Sequence, residues 1–367
     1  MAERFDVVVV GAGPAGASAA RAAAERGART LLLDHRSELG QPVQCGEFVP
    51  SPAELIDLFG APDLVGRAYE IPPSTVLHET RRLDCISPFG RRYGFPLGGA
   101  TVSRRAFDKA LALRAEGAGA ELRYPLGVTK AEDGGVCCAD GSRVGAAVVV
   151  GADGPASTVG ASVGFHPSRT MYRMITATAD GPIGEAIELY FGREAPHGYA
   201  WLFPRAHDLN VGLGVPELPT GTTLPGLLDR FLVRTGVGPA RERTAWWVPI
   251  GPPPASLVVG RTIFAGDAAN LVMATNGGGI PTAMLSGYLA GESAARAARG
   301  EAPLSDYDRA WRRALYPPLD RAYRIQRLSG RVAGSDALLA LGMRYIGVRG
   351  LDAMMRLRWP PRLGGAS

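Results

Sequence analysis

The chain has 367 residues, 46% hydrophobic and 20% charged, with a formal net charge of +5. That is ordinary for a globular protein and enough for one large core or two fused ones. No run approaches the roughly 20 apolar residues that span a bilayer, and the four cysteines lack the CxxC or Cys/His spacing of a zinc site. An integral helical membrane protein and a zinc protein are thereby excluded.

Only Lys109 and Lys130 are lysines, so the basic surplus is arginine. It reads first as a solvated surface and second as attraction to phosphate, in a cofactor, a substrate or a lipid head group. Cys45, Cys85, Cys137 and Cys138 fit a reduced, intracellular setting. The first apolar run ends at once in glycine and belongs to a strand rather than a signal peptide. A cytoplasmic location is expected, with peripheral membrane contact left open and no nucleic acid partner.

Residues 5–10 are short, β-branched and ended by glycine, as in a buried strand. Gly11-Ala12-Gly13-Pro14-Ala15-Gly16 follows, then an Ala-rich helix to about Gly27, then a strand over 30–33 that ends at Asp34. This is a complete dinucleotide-binding βαβ pattern. Gly11 permits the tight turn, Gly13 lets the backbone approach a pyrophosphate, and Gly16 allows helix to pack on strand. The helix start offers unpaired N–H groups and partial positive charge. Asp34, followed by His35, is placed to accept from ribose hydroxyls.

Farther on, Val148-Val149-Val150-Gly151-Ala152-Asp153-Gly154 is a second buried strand with a GADG turn. Residues 262–269 form a third, ending in Gly266-Asp267-Ala268-Ala269, and a helix after Gly279 points back at the same crevice. Between them, residues 171–215 and 241–257 alternate apolar and polar residues and read as antiparallel strands of a second layer. Tyr199, Trp201 and Phe203 share one strand face there and would wall an apolar pocket, with Trp246 beside them.

Three nucleotide-facing strand ends at these spacings resemble the FAD-dependent hydroxylase-like flavoprotein superfamily. The resemblance implies that Asp153 and Gly154, then Gly266 and Asp267, flank FAD, with Asp267 on the ribityl chain. Gly277, Gly278, Gly279 and Ile280 would run along the isoalloxazine edge. Arg104, in Val102-Ser103-Arg104-Arg105-Ala106-Phe107-Asp108, matches the superfamily's R-x-x-F-D segment, whose arginine meets the cofactor. The chain departs from the pattern at Gly160, where an arginine is frequent. No second GxGxxG opens a helix, so no separate nicotinamide domain is expected. The electron donor is then NAD(P)H docking transiently, or a ferredoxin-like protein.

Pro196-His197-Gly198-Tyr199-Ala200-Trp201-Leu202-Phe203-Pro204 fills every fixed position of the P-x-x-Y-x-W-x-F-P segment of the geranylgeranyl reductase family. Cys45-Gly46-Glu47 matches that family's Cys-Gly-Glu near the first nucleotide motif. This resemblance covers most of the chain, up to about residue 287. It implies FAD-dependent saturation of prenyl double bonds, with Cys45 and Glu47 as catalytic candidates and Cys45 and Gly46 beside the flavin. Arg81, Arg82, Arg91 and Arg92 are candidates for a diphosphate or lipid head group.

The alternative is a flavin monooxygenase of an apolar or aromatic molecule. A halogenase shares the aromatic motif but has an early lysine, and the first lysine here is Lys109. A non-enzymatic electron carrier would go with an open, polar pocket. The expected fold is α/β: an FAD domain of residues 1–75, 96–165 and 258–330, an inserted antiparallel substrate domain of 76–95 and 166–257, and a helical, Arg-rich segment of 331–367 that either packs on the substrate domain or lies on a membrane.

Overall fold

The computed structural model describes residues 3–167 and 170–361. Val7 to Val10 are buried on both faces, so the Glu3–Val10 strand sits inside a sheet. It pairs in parallel with Thr30–Leu33 on one side and Arg143–Gly151 on the other. Glu121–Arg123 extends the first side and Thr262–Phe264 the second, both in parallel. Helix Pro14–Glu25 covers one face and packs against helix Ile280–Ala298. This is the Rossmann-like half of the expected α/β fold.

A second eight-stranded sheet carries Met171–Ala179, Ala186–Tyr190, Tyr199–Pro204, Leu209–Val215 and Arg241–Pro249. All its pairings are antiparallel except that of Ala186–Tyr190 with Val76–Ile86. Ala200 and Leu202 face outward, where helix Leu224–Thr235 buries Leu227, Leu228, Phe231 and Leu232 on them. Trp201 and Phe203 face inward, into the core shared with the nucleotide sheet.

The expected boundary at 95/96 is corrected here. It falls inside the Arg92–Val102 strand, which pairs with Val76–Ile86 and Phe48–Pro50 in the second sheet. Pro96, Gly98 and Gly99 weaken the strand signal there. The ladder with Val76–Ile86 shifts register opposite them, between Thr80 and Arg82, which is how a sheet accommodates proline.

The C-terminal part is helical, as Ser305–Ala314, Tyr316–Ser329 and Asp336–Met355, the last broken at Gly347 (φ +64°, ψ −166°). It does not end on the substrate sheet alone. Arg356 joins Glu54, Asp57 and the Pro96 carbonyl, and Arg358 joins Asp57, so it clamps onto the first hundred residues. Arg362, counted in the Arg-rich segment, lies outside the described residues.

Candidate active site

One cavity runs from the nucleotide sheet to the inner face of the second sheet. At its nucleotide end, Gly11 adopts φ +99°, and a Cβ there would stand 2.4 Å from the Ala152 carbonyl. Only glycine lets the first turn lie against the GADG turn. Gly13 and Gly279 precede the two helices facing the cavity, and neither helix start has a side-chain cap. Their first N–H groups are left for a ligand, with the positive ends of two helix dipoles behind them. Between them is the Asp267 carboxylate, which accepts no hydrogen bond from the protein among the described residues. Burial pushes it up to about 6, against the lowering influence of Arg104. Unpaired donors for a pyrophosphate and an unpartnered acceptor for hydroxyls fit FAD.

The other sequence candidates divide. Gly11, Gly13, Pro14, Ala15, His35, Cys45, Gly46, Arg104, Asp153, Gly154, Asp267, Gly277, Gly278, Gly279 and Ile280 line the cavity. Gly16 and Gly266 lie behind it. Asp34 is buried and absent from the lining. Its carboxylate accepts from the Ala12 N–H (2.7 Å) and the Arg36 N–H (2.8 Å), so it holds the glycine turn in place, and His35 and Arg36 reach the cavity instead. Asp153 accepts from the Ser157 hydroxyl (2.6 Å) and the Val159 N–H (3.0 Å), which gives its carboxylate a capping role at helix Thr158–Val163. Arg104 opens helix Arg104–Gly117 and is chelated by Asp108 at 2.8 Å through two nitrogens.

At the far end, Tyr199, Trp201 and Phe203 follow each other on one face with ring centroids 6.1 Å apart. Trp246 meets Trp201 edge-on at 6.5 Å, and Leu83, Leu97, Met174, Ile187 and Leu189 complete an apolar lining. The Cys45–Glu47 loop faces this wall closely: a Cβ on Gly46 would stand 2.8 Å from the Phe203 ring. Burial raises the Cys45 thiol pKa, and Arg104 partly opposes this.

Two expectations change. Glu47 is 2% exposed, and its carboxylate accepts from the Arg104 N–H, Arg205 and Asn210. These three donors hold the carboxylate and the loop it sits on, and Glu47 lines the cavity. Arg81, Arg82, Arg91 and Arg92 are absent from the cavity lining. Arg82 and Arg92 pair with Asp84, Arg92 also with Glu188, and Arg91 lies over Tyr93. Sequence reasoning missed Asn210 and Met355. The signal for Asn210 was present, as the one polar side chain in the run Leu209-Asn210-Val211-Gly212-Leu213-Gly214-Val215.

A glycine turn, a second strand-end acid and two helix N-termini around one crevice define an FAD-dependent oxidoreductase. Residues 6–41 match the FAD dependent oxidoreductase family model, and residues 168–244 match the geranylgeranyl reductase catalytic domain. The chain is 31% identical to digeranylgeranylglycerophospholipid reductase of Methanocaldococcus jannaschii, over 94% of this chain and 92% of that one. It is 32% identical to the protein of that name from Methanocella arvoryzae, over 93% and 91%. The chain belongs to the geranylgeranyl reductase family. A geranylgeranyl bacteriochlorophyll reductase-like protein of Thermoplasma acidophilum shares the fold, with TM-score 0.83, 23% identity and coverage of 99% and 94%. A flavin-dependent brominase (TM-score 0.74, 17% identity, coverage of 99% and 96%) shares the fold alone.

Proposed function

We propose that this enzyme saturates isolated carbon–carbon double bonds in the prenyl chains of a lipid. The observation that carries this is the Tyr199, Trp201, Phe203 wall facing the Cys45 loop in a cavity continuous with the flavin crevice. The curated relatives, named as reductases of digeranylgeranylglycerophospholipids, support the same substrate class.

Burying a prenyl chain against this lining is favourable by about 25 cal/mol per Å² of apolar surface removed from water. Wall and loop hold the alkene in one plane and exclude water, which an unpolarised double bond requires for reaction. Once bound and reduced by an external donor, the flavin would supply the hydride from its N5. Cys45 faces the same space with its proton held on sulfur by burial, and it supplies the proton for the second alkene carbon. Asp267 would accept from ribityl hydroxyls, and the helix N-termini at Gly13 and Gly279 would hold the pyrophosphate and the isoalloxazine carbonyls. NAD(P)H or a ferredoxin-like protein would renew the electrons.

The lipid is presented by a membrane surface. Leu338, Leu341 and Tyr345 are exposed at helical spacing on Asp336–Met355 before its break at Gly347, with Arg344 exposed beside them, and Val348 and Arg349 are exposed just beyond the break. The helical segment beyond the break ends at Met355, which lines the cavity.

The test is an anaerobic turnover with chemically reduced flavin and a geranylgeranyl lipid. Flavin reoxidation with a gain of two hydrogens per double bond is expected. No reoxidation until air enters would overturn the proposal in favour of oxygen chemistry. Cys45→Ala, with flavin content intact, is expected to lower turnover by about 10²-fold, the low end for losing a general acid. Unchanged turnover would remove Cys45 as the proton source.

A further inference from the structure

A buried polar side chain in an apolar sheet is held by its partners and fixes their geometry in return. Asn210 is 2% exposed, and its amide uses its full hydrogen-bonding capacity. Nδ2 donates to the Cys45 carbonyl (3.0 Å) and to Glu47 Oε2 (3.0 Å). Oδ1 accepts from Trp201 Nε1 (2.8 Å) and from the Thr176 hydroxyl (2.9 Å). Chemistry fixes the amide's orientation, since an indole N–H only donates and a carbonyl only accepts.

Asn210 therefore ties together the two sides of the cavity, the aromatic wall through Trp201 and the thiol loop through Cys45 and Glu47. The loop needs a tether. Glu47 sits at φ +67°, a left-handed conformation uncommon for a residue with a side chain. Its carboxylate is also held by the Arg104 N–H (3.1 Å) and by Arg205 (3.0 Å). Arg205 is in turn gripped by Asp208 at 2.7 and 2.9 Å and donates to the Thr178 hydroxyl (2.9 Å).

We propose that Asn210 is a positioning residue for the reduction: it sets the spacing between the Cys45 thiol and the Trp201 face, and thereby the place of the alkene. This rests on the prenyl reductase reading above. Asn210 is absent from the cavity lining and acts through the groups it bonds, Cys45, Glu47, Thr176 and Trp201. An aspartate in its place loses both donors and sets a carboxylate against Glu47. A leucine orphans the indole N–H, the Cys45 carbonyl and one contact of Glu47.

The experiment uses flavin-loaded Asn210→Asp and, as the milder variant, Thr176→Val, which removes the donor to Oδ1 together with that hydroxyl's longer contacts to the Cys45 and Val211 carbonyls and keeps the shape. Three quantities are read: bound flavin per chain, anaerobic kcat and KM on a geranylgeranyl lipid, and the pH profile of Cys45 alkylation by iodoacetamide, resolved by peptide mass. For Asn210→Asp, flavin content is expected to hold and kcat to fall about 10- to 100-fold, as for a misplacement near 1 Å, with KM changed far less. The Cys45 alkylation profile is expected to move to higher pH, because the new carboxylate disfavours the thiolate. If Asn210→Asp loses its flavin, Thr176→Val decides, with a kcat loss of several-fold at constant KM expected. Unchanged kcat and an unchanged alkylation profile, in whichever variant retains flavin, would overturn the proposal. If the wild-type chain reduces no prenyl lipid, the functional reading fails instead, and the alkylation profile still decides the tether.

Discussion

Asp267 lies in the short turn Gly266–Ala269 just after the strand Thr262–Phe264 and lines the ligand crevice, with its carboxyl pushed up to about 6 by burial. Its folded-state value lies above the ordinary 3.8, so the folded protein binds a proton that the unfolded chain has released. In the flavin-free protein, this group's contribution to stability is full below about pH 4, falls as pH rises to about 6, and is level beyond. Asp267→Asn removes that dependence. The melting temperature of flavin-free Asp267→Asn is expected to gain on wild type across this window, while its flavin affinity drops. A melting difference independent of pH would show that the carboxylate does not feel burial. The other acids nominated by sequence have protein partners: Asp34 holds Ala12, 22 residues away, and Glu47 holds Arg205, 158 residues away. Their positions were legible in the sequence, but whether their oxygens were free was not, because the partners are distant in the chain.

At the scale of elements, period-two alternation placed Tyr199, Trp201 and Phe203 on one face, and the sheet register agrees. The Arg92–Val102 strand was cut in two by its proline and glycines, because local propensity cannot see the neighbouring strands that complete its ladder. The C-terminal helix is held by one residue above all. Arg356 is largely buried and bonds Glu54, Asp352 and the Pro96 carbonyl. Arg356→Ala is expected to destabilise the fold by about 2 kcal/mol, as for lost charged hydrogen bonds. It is also expected to speed proteolysis within 336–355, because this contact seats Met355 against the cavity. Denaturant unfolding and limited proteolysis measure both effects, and unchanged values in both would place the clamp elsewhere.

At the scale of the molecule, exposed arginines and exposed apolar residues meet on the segment Asp336–Met355, on both sides of its break at Gly347. Wild-type protein is expected to float with anionic vesicles and to release as salt rises, since exposed charges are screened beyond about 10 Å at 0.1 M. The double substitution Leu338→Ser with Leu341→Ser should abolish flotation and leave turnover of detergent-dispersed lipid intact. Wild-type protein that stays off anionic vesicles would exclude this surface. No helix among the described residues is long and apolar enough to cross a membrane.

By itself, the sequence determined the nucleotide-binding βαβ unit, the cofactor class and the aromatic face. These follow from local sterics and short periodicities: a turn that only glycine allows, and a strand that alternates every second residue. Tertiary structure alone decided which acids stay free for a ligand, which arginines are consumed in ion pairs, and that Asn210 joins the thiol loop to the aromatic wall. For Glu47 with Arg205, and for Asn210 with Cys45 and Glu47, the partners lie more than 150 residues apart and only the folded chain brings them to hydrogen-bond distance, whereas Arg82 and Arg92 find Asp84 nearby in the chain.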